Sequence, residues 1–491
     1  MKRRQFLLVS AASMMATTAT SWAISKNQRG ALPNSSPTPK LIQSRDGLLE
    51  LNLEASLSPL NFNAQQAYLM SYNRQLPAPR LEAKAGDTVR IHLTNHLQQP
   101  TNLHYHGLHV IPTGTGDNPF LSIPPQEQFT YEFTIPQNHP SGIFSYHPHH
   151  HHLVAEQVFN GLIGLFIVRG EFDTIPEIEA AKEEFLVFQD FALDAGGHIQ
   201  NTNQMDLMRG REGNLLTVNG QIQPDLKIAR GGLLRLRLLN ASASRFYRLS
   251  LENHPFYLIA TDGRSLSEPV ESEELLLAPG ERAEVLVKGE QEPGHYRLLN
   301  LPYDRGGMSM MGGGMGMMGG HHSMVNTNQS MPQVLATFTY QGTSNPLPLP
   351  TKLMPVESLA TPKKVRKIEL SMTMSMGMGM NMAFLFNGQE FDPNRIDAEV
   401  KLNSIEDWEL INVDPDGMAH PFHLHINPFQ VISRNGQPEP YRAWKDTIVV
   451  RGDEMVTIRI PFRDFTGKTV YHCHILDHED LGMMGIVNIT A

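Results

Sequence analysis

The sequence predicts an all-β protein of three similar sandwich or barrel units, and three observations carry that expectation. Short runs alternate apolar and polar residues, as in Thr88-Val89-Arg90-Ile91-His92-Leu93 and Leu234-Arg235-Leu236-Arg237-Leu238. A period of two belongs to a strand with one face buried. Gly, Pro, Asn and Asp punctuate these runs at short intervals and helical periodicity is scarce, the pattern of antiparallel sandwiches or barrels. The third observation is internal repetition. Asn219-Gly220 precedes a strand-like run and then His254-Pro255-Phe256-Tyr257-Leu258. Asn387-Gly388 precedes another and then His420-Pro421-Phe422-His423-Leu424, at a similar spacing, so two copies of one unit are expected.

The elements follow in order. Lys2-Arg3-Arg4, an apolar stretch over 6–16 and the small residues of Ser21-Trp22-Ala23 read as a targeting segment over 1–23, cleaved after Ala23. Arg3-Arg4 followed by Gln5-Phe6-Leu7 resembles a twin-arginine export signal. The apolar run is too short to span a bilayer, and no later stretch is long enough, so no membrane span is expected in the mature chain. Residues 24–40, rich in Pro, Ser and Asn, read as a flexible leader. The first unit is placed at 41–175 and the second at 176–345, with a Met-rich insert at about 306–331. A Pro-rich linker follows over 346–364, and the third unit occupies 365–491. At 491 residues the chain has room for such cores, and its formal net charge of -10 speaks against nucleic acid as a partner.

The sequence has one cysteine, Cys473, so no internal disulfide can form. A lone thiol in an exported protein is either in use or buried as a small apolar residue. Its neighbours decide. Four motifs hold histidines two apart: His104-Tyr105-His106, His147-Pro148-His149, His423-Leu424-His425 and His472-Cys473-His474. On a strand, residues i and i+2 face the same way, so each motif offers two imidazoles side by side. Imidazole suits several metals; the cysteine narrows the choice. If 472–474 is extended, its two imidazoles face one way and the thiolate the other. His420, three residues before His423, points away from the His423/His425 pair by the same parity. His420, Cys473 and His478, with Met483 as a weak thioether, are therefore expected to form a blue-copper electron-transfer site. The eight histidines of the four motifs form a second site, joined to the first through Cys473 and its chain neighbours.

These motifs, in this order, resemble those of the three-domain multicopper oxidases, the laccase-like enzymes and copper-tolerance oxidases, over nearly the whole mature chain. The resemblance implies three cupredoxin-like Greek-key domains, with a trinuclear copper cluster between the first and third. It implies four copper ions. His104 and His423 would bind type 2 copper, and His106, His147, His149, His425, His472 and His474 the type 3 pair. His420, Cys473, His478 and Met483 would bind type 1 copper. Gln157 and Gly161-Leu162 fit the family's pattern after the second motif, while Tyr105 stands where the family more often has Trp. The second motif runs on through His150, His151 and His152, and strand parity selects His147 and His149. His254 sits in the repeat without two following histidines, so the middle domain is expected to be copper-free.

Reducing dioxygen to water consumes protons, and Asp117 and Glu479 match positions where the family places acids that relay them; the bland alternative is hydrogen bonding to imidazoles. Thioether prefers Cu(I), so the segment 308–324, with His321 and His322, has the composition of a cuprous-ion trap. Its alternative is an oxidation-prone insert. The alternating methionines over 372–382 could equally be the buried face of a strand. Asp416 and Met418 match a pair that copper-tolerance oxidases use to hold a substrate cuprous ion. The expected function is oxidation of cuprous ion outside the cytoplasm, in the periplasm or beyond, coupled to reduction of dioxygen to water. Electrons would enter at type 1 copper and pass through Cys473 to its flanking histidines. A laccase-type oxidase of phenols or aromatic amines is the alternative within the class. A non-enzymatic copper-sequestering or structural envelope protein is the alternative outside it. A monomer is expected, since three domains in one chain bring both halves of the cluster together.

Overall fold

A computed structural model describes residues 39–62, 65–307, 331–376 and 380–491. The targeting segment, nearly all of the leader and the Met-rich segment 308–324 lie outside the described residues. The described chain is mostly strand, in three consecutive pairs of sheets. In the first pair, Gln65–Tyr72, Leu48–Phe62, Thr88–Asn95 and Gln128–Thr134 face a sheet of Leu41–Gln43, Arg80–Lys84, Gly164–Arg169 and Gly142–Tyr146. The second pair is centred on Leu233–Asn240 and Arg282–Lys288 in one sheet and on His295–Leu301 in the other. The third contains Ser404–Asn412 beside Met455–Phe462, and a five-stranded sheet through Gly467–Cys473, His420–Leu424 and Thr447–Val450.

Each pair encloses its own apolar core. In Thr88–Asn95 the residues Val89, Ile91 and Leu93 are fully buried and alternate with partly exposed ones, so the period of two reports burial directly. Leu233–Asn240 departs from that expectation. Every residue in it is buried, including Arg235 and Arg237. Both faces of this strand are covered, and the arginines are accommodated by ion pairs: Arg235 to Glu284 at 2.6 Å, and Arg237 to Glu183 at 2.8 Å and to Asp173. The sheets are also mixed and not purely antiparallel. Leu48–Phe62 pairs in parallel with Thr88–Asn95, and Lys364–Met376 with Ser404–Asn412. Alternation reports which face of a strand is buried and is silent about the direction of its neighbour.

The linker lies against the body of the protein: Leu347, Leu349, Leu353 and Met354 pack on the core around Phe172 and Ile259. Two short helices, Val154–Phe159 and Leu476–Asp480, follow the second and fourth histidine motifs and pack on each other. The Asp480 carboxylate accepts hydrogen bonds from the N–H groups of Val154 (3.2 Å) and Ala155 (2.9 Å), the free donors at a helix start. That contact fastens the first unit to the third at the edge of the histidine cluster. Among the described residues no helix is long and apolar enough to cross a membrane.

Candidate metal centres

The strands deliver the histidines by register. In the third unit Phe422 lies opposite Cys473 and His423 opposite His472, so thiol and imidazoles are sorted to opposite faces of one sheet. The first unit meets this face with His104, bridged to His147 by paired backbone hydrogen bonds of 2.8 and 3.1 Å. No candidate ligand is more than 2% exposed.

Eight imidazoles converge between the first and third units. Nδ1 of His106 lies 3.4 Å from Nε2 of His147 and 3.2 Å from Nε2 of His474. Nε2 of His472 lies 3.3 Å from that of His149 and 3.1 Å from that of His425. Such spacings suit nitrogens about 2.0 Å from a shared ion. His104 and His423 present Nε2 atoms that are buried and have no hydrogen-bond partner. Their Nδ1 atoms are occupied, by Asp117 Oδ1 at 2.8 Å and by the Asp446 carbonyl at 2.8 Å respectively. These orphaned nitrogens and the two triads are donor sets that fit metal ions. Burial and mutual repulsion hold His104, His106, His425, His472 and His474 well below the usual imidazole range. Burial pulls His147 and His149 down to about 3. These seven rings are thus neutral, the form that donates to a metal.

On the other face, Cys473 Sγ lies 3.6 Å from His420 Nδ1 and 3.8 Å from His478 Nδ1, and the two nitrogens are 3.3 Å apart. Each ring's second nitrogen is spoken for. His420 Nε2 meets Asp414 at 3.0 Å, and His478 Nε2 donates to the Met208 carbonyl of the middle unit at 3.0 Å. Phe384 stacks on His478 with ring centroids 3.7 Å apart. Met483 is fully buried in the same core, and its carbonyl accepts from the Cys473 N–H at 3.0 Å. Burial pushes the Cys473 thiol well up, so a bound cation would be needed to hold it as thiolate.

Two acids sit behind the cluster. Asp117 bridges His104 and His425, its Oδ2 3.5 Å from His425 Nδ1. Glu479 is fully buried, 3.0 Å from His472 Nδ1 and 3.3 Å from His149 Nε2. Burial pushes both up to about 7, where a carboxyl can give or take a proton near neutrality.

Other sequence expectations separate. His150 meets Ser122, and His151 packs against His152, outside the clusters. His254 is bonded to the Glu252 carbonyl and the Tyr340 hydroxyl and has a structural role. Met372 is core, whereas the side chains of Met374, Met376, Met378 and Met380 lie outside the described residues. Met418 is buried and Asp416 half-buried; the Asp416 carbonyl accepts from the Gly307 N–H at 3.0 Å. Residues missed by sequence reasoning are Asp414, Asp446, Thr447 and, from the middle unit, Arg282 and Gly280. A Cβ on Gly280 would fall 2.6 Å from His474 Nε2. Burial favours a raised pKa for Asp446, but the Arg282 guanidinium holds it well below the usual carboxylate range. Asp414 meets His420 from six residues away in a turn that no motif marks, whereas Asp446 and Arg282 come together near His106 from distant chain positions.

A buried thiol–bis-imidazole site joined through one strand to a buried imidazole cluster defines a copper oxidase. Multicopper oxidase family models match residues 55–172, 182–311 and 362–491. The multicopper oxidase Mco of Staphylococcus haemolyticus is 33% identical, over 86% of this chain and 84% of its own. A structure described as a multicopper oxidase from Campylobacter jejuni, a metallo-oxidase, is 31% identical with a TM-score of 0.79, covering 95% of this chain and 98% of its own. Cell division protein FtsP of Proteus mirabilis is 28% identical over 99% of this chain and 98% of its own. The chain belongs to the multicopper oxidase family. It is accordingly an oxidoreductase with copper cofactors, for which dioxygen and a reducing substrate are expected.

Proposed function

We propose that this oxidase takes its electrons from cuprous ion, outside the cytoplasm, and holds four copper ions as a type 1 site, a type 2 site and a type 3 pair. The observation that carries the substrate reading is where the Met-rich segment begins. Gly307, the last described residue before it, hydrogen-bonds to Asp416, and a Cβ there would lie 3.0 Å from Met418 Cε. The neighbouring Ala419 N–H donates to the Arg305 carbonyl at 2.6 Å, and His420 follows directly. The Met-rich segment thus follows directly on Gly307, whose own contacts are with Asp416 and Met418 just ahead of His420, and thioether is the donor that selects Cu(I).

His420, Cys473, His478 and Met483 would hold type 1 copper, His104 and His423 type 2, and the triads His106/His147/His474 and His149/His425/His472 the type 3 pair. Bound copper supplies the one-electron chemistry that no side chain here provides. The chain's own part is to exclude water, keep the imidazoles of the two triads neutral, and link the sites through Cys473 to His472 and His474. Glu479 and Asp117 hold protons beside the cluster for the reduction of dioxygen. The segment 1–23 is read as an export signal, which puts the work in the periplasm or beyond. One chain supplies every proposed ligand, so the enzyme is taken to act as a monomer.

The test is oxygen uptake by the copper-loaded enzyme with Cu(I) and a methoxyphenol as alternative donors, repeated on a variant lacking 308–324. Cu(I) is expected to be much the better donor, with the deletion weakening it and improving the phenol. A phenol that wins with the segment intact would replace this reading with a laccase.

A further inference from the structure

The middle unit contributes no proposed copper ligand, yet one of its side chains reaches the histidine cluster. Arg282, at the start of Arg282–Lys288, is fully buried. Its guanidinium forms a two-pronged pair with Asp446 of the third unit, Nη1 to Oδ1 at 2.7 Å and Nη2 to Oδ2 at 2.5 Å. Asp446 Oδ1 in turn lies 3.1 Å from Nε2 of His106 in the first unit. Space has been left for this contact: Gly107 has φ +87°, and a Cβ there would stand 2.2 Å from Arg282 Nη2 and 2.6 Å from Asp446 Oδ2. Asp262 of the middle unit steadies both partners. Its Oδ1 accepts from the Arg282 N–H at 3.0 Å, and its Oδ2 from the N–H groups of Asp446 (3.2 Å) and Thr447 (3.3 Å).

His106 is the odd member of the two triads. It presents Nδ1 to its partners, whereas His147, His474, His149, His425 and His472 present Nε2. An imidazole with one nitrogen against a carboxylate carries its proton there and leaves its lone pair on the other. We propose that Arg282 is a positioning residue for the cluster: by fixing Asp446 it places the proton of His106 on Nε2 and turns Nδ1 toward His147 and His474. The middle unit thereby sets the tautomer of a ligand held by the first, through an acid held by the third. The inference rests on the ligand assignment proposed above.

Breaking the pair from one side would strand a buried charge, so the informative variant removes both charges together as R282M/D446L. In the full-length protein loaded with copper, three quantities are measured: copper bound per chain, the fraction visible by electron paramagnetic resonance, and the blue absorption of the cysteine site. Wild type is expected to bind copper at both sites. The double variant is expected to keep its melting temperature within a few degrees and to keep its blue colour, because His420, Cys473 and His478 do not touch Arg282 or Asp446. Its affinity for the cluster copper should fall about 10–100-fold, the range for removing a partner behind a ligating histidine. More of the remaining cluster copper should become resonance-visible as the pair is disturbed. The single variant D446N keeps an acceptor oxygen for His106 and should retain more cluster copper than D446L, a comparison that holds even if the double variant folds poorly. Wild-type copper content and resonance in R282M/D446L, or equal losses in D446N and D446L, would overturn the proposal. Wild-type protein that takes up no cluster copper would instead bring down the ligand assignment, and this inference with it.

Discussion

The cysteine site and the histidine cluster lie on opposite faces of one sheet and are built on opposite plans. His420, Cys473, His478 and Met483 all come from the third unit and share its apolar core. Among the described residues, the middle unit touches these four ligands through one hydrogen bond, that of His478 to the Met208 carbonyl, and adds Met208, Phe246 and Ala278 to the surrounding core. The cluster belongs to no single core. The first and third units each supply four of its imidazoles, and the middle unit supplies the arginine and glycine that close around them. A site inside one core inherits its geometry from packing and strand register, whereas a site between cores depends on the joints. The two should therefore fail differently.

The largest effect is expected from Cys473→Ser. It should abolish the blue absorption and lower oxygen uptake by more than the roughly 100-fold seen for partners behind ligands, while cluster copper, measured by elemental analysis, stays bound. Parallel loss of copper from both sites would erase the distinction between them. Glu479→Gln keeps the shape but has no carboxyl proton to give or take. Turnover should drop about 10²-fold with blue colour and copper content unchanged, and turnover within twofold of wild type would remove Glu479 from proton handling. Asp480→Ala acts only on the joint, by uncapping Val154–Phe159; it should lower the melting temperature by a few degrees, matching roughly 1 kcal/mol, and loosen the cluster before the cysteine site. The smallest effect is a pH slope. The Cys473 thiol, pushed up by burial, must lose its proton on metal binding, whereas the His478 imidazole, pulled down by burial, has none to lose. Affinity of the cysteine site for copper should rise about tenfold per pH unit above pH 6.5, read by competition with a chelator. A flat profile would mean that the thiol is already ionised in the metal-free protein.

Much of this was legible in the sequence, and the reason is local. Strand parity over 472–474 needs no knowledge of the fold, and the observed register of Phe422 with Cys473 and His423 with His472 is that parity made physical. The same applies to Thr88–Asn95, whose alternation is its burial pattern. Legibility ended where meaning depended on a remote partner. Leu234-Arg235-Leu236-Arg237 reads as a half-exposed strand, and only the carboxylates of Asp173, Glu183 and Glu284 explain how the arginines came to be buried. Asp446 stands 340 residues from His106 and 164 from Arg282, so nothing near it in the chain marks it out. Asp416 is singled out by the motif for a different role, holding substrate cuprous ion; the carboxylate that meets His420 belongs to Asp414, two residues earlier in the same turn, which no motif marks. A motif shows which residues are present; a turn decides which of them points inward.

The span of the cluster has a consequence for how the enzyme is made. Its contacts close over 323 residues between His149 and His472, and over 368 between His106 and His474. During synthesis the first unit is complete, with four imidazoles facing outward, long before the second half of the pocket has been translated. A half-finished chain is thus a bare metal trap with the wrong coordination. A correctly coordinated cluster therefore has to wait until His472 and His474 have been made.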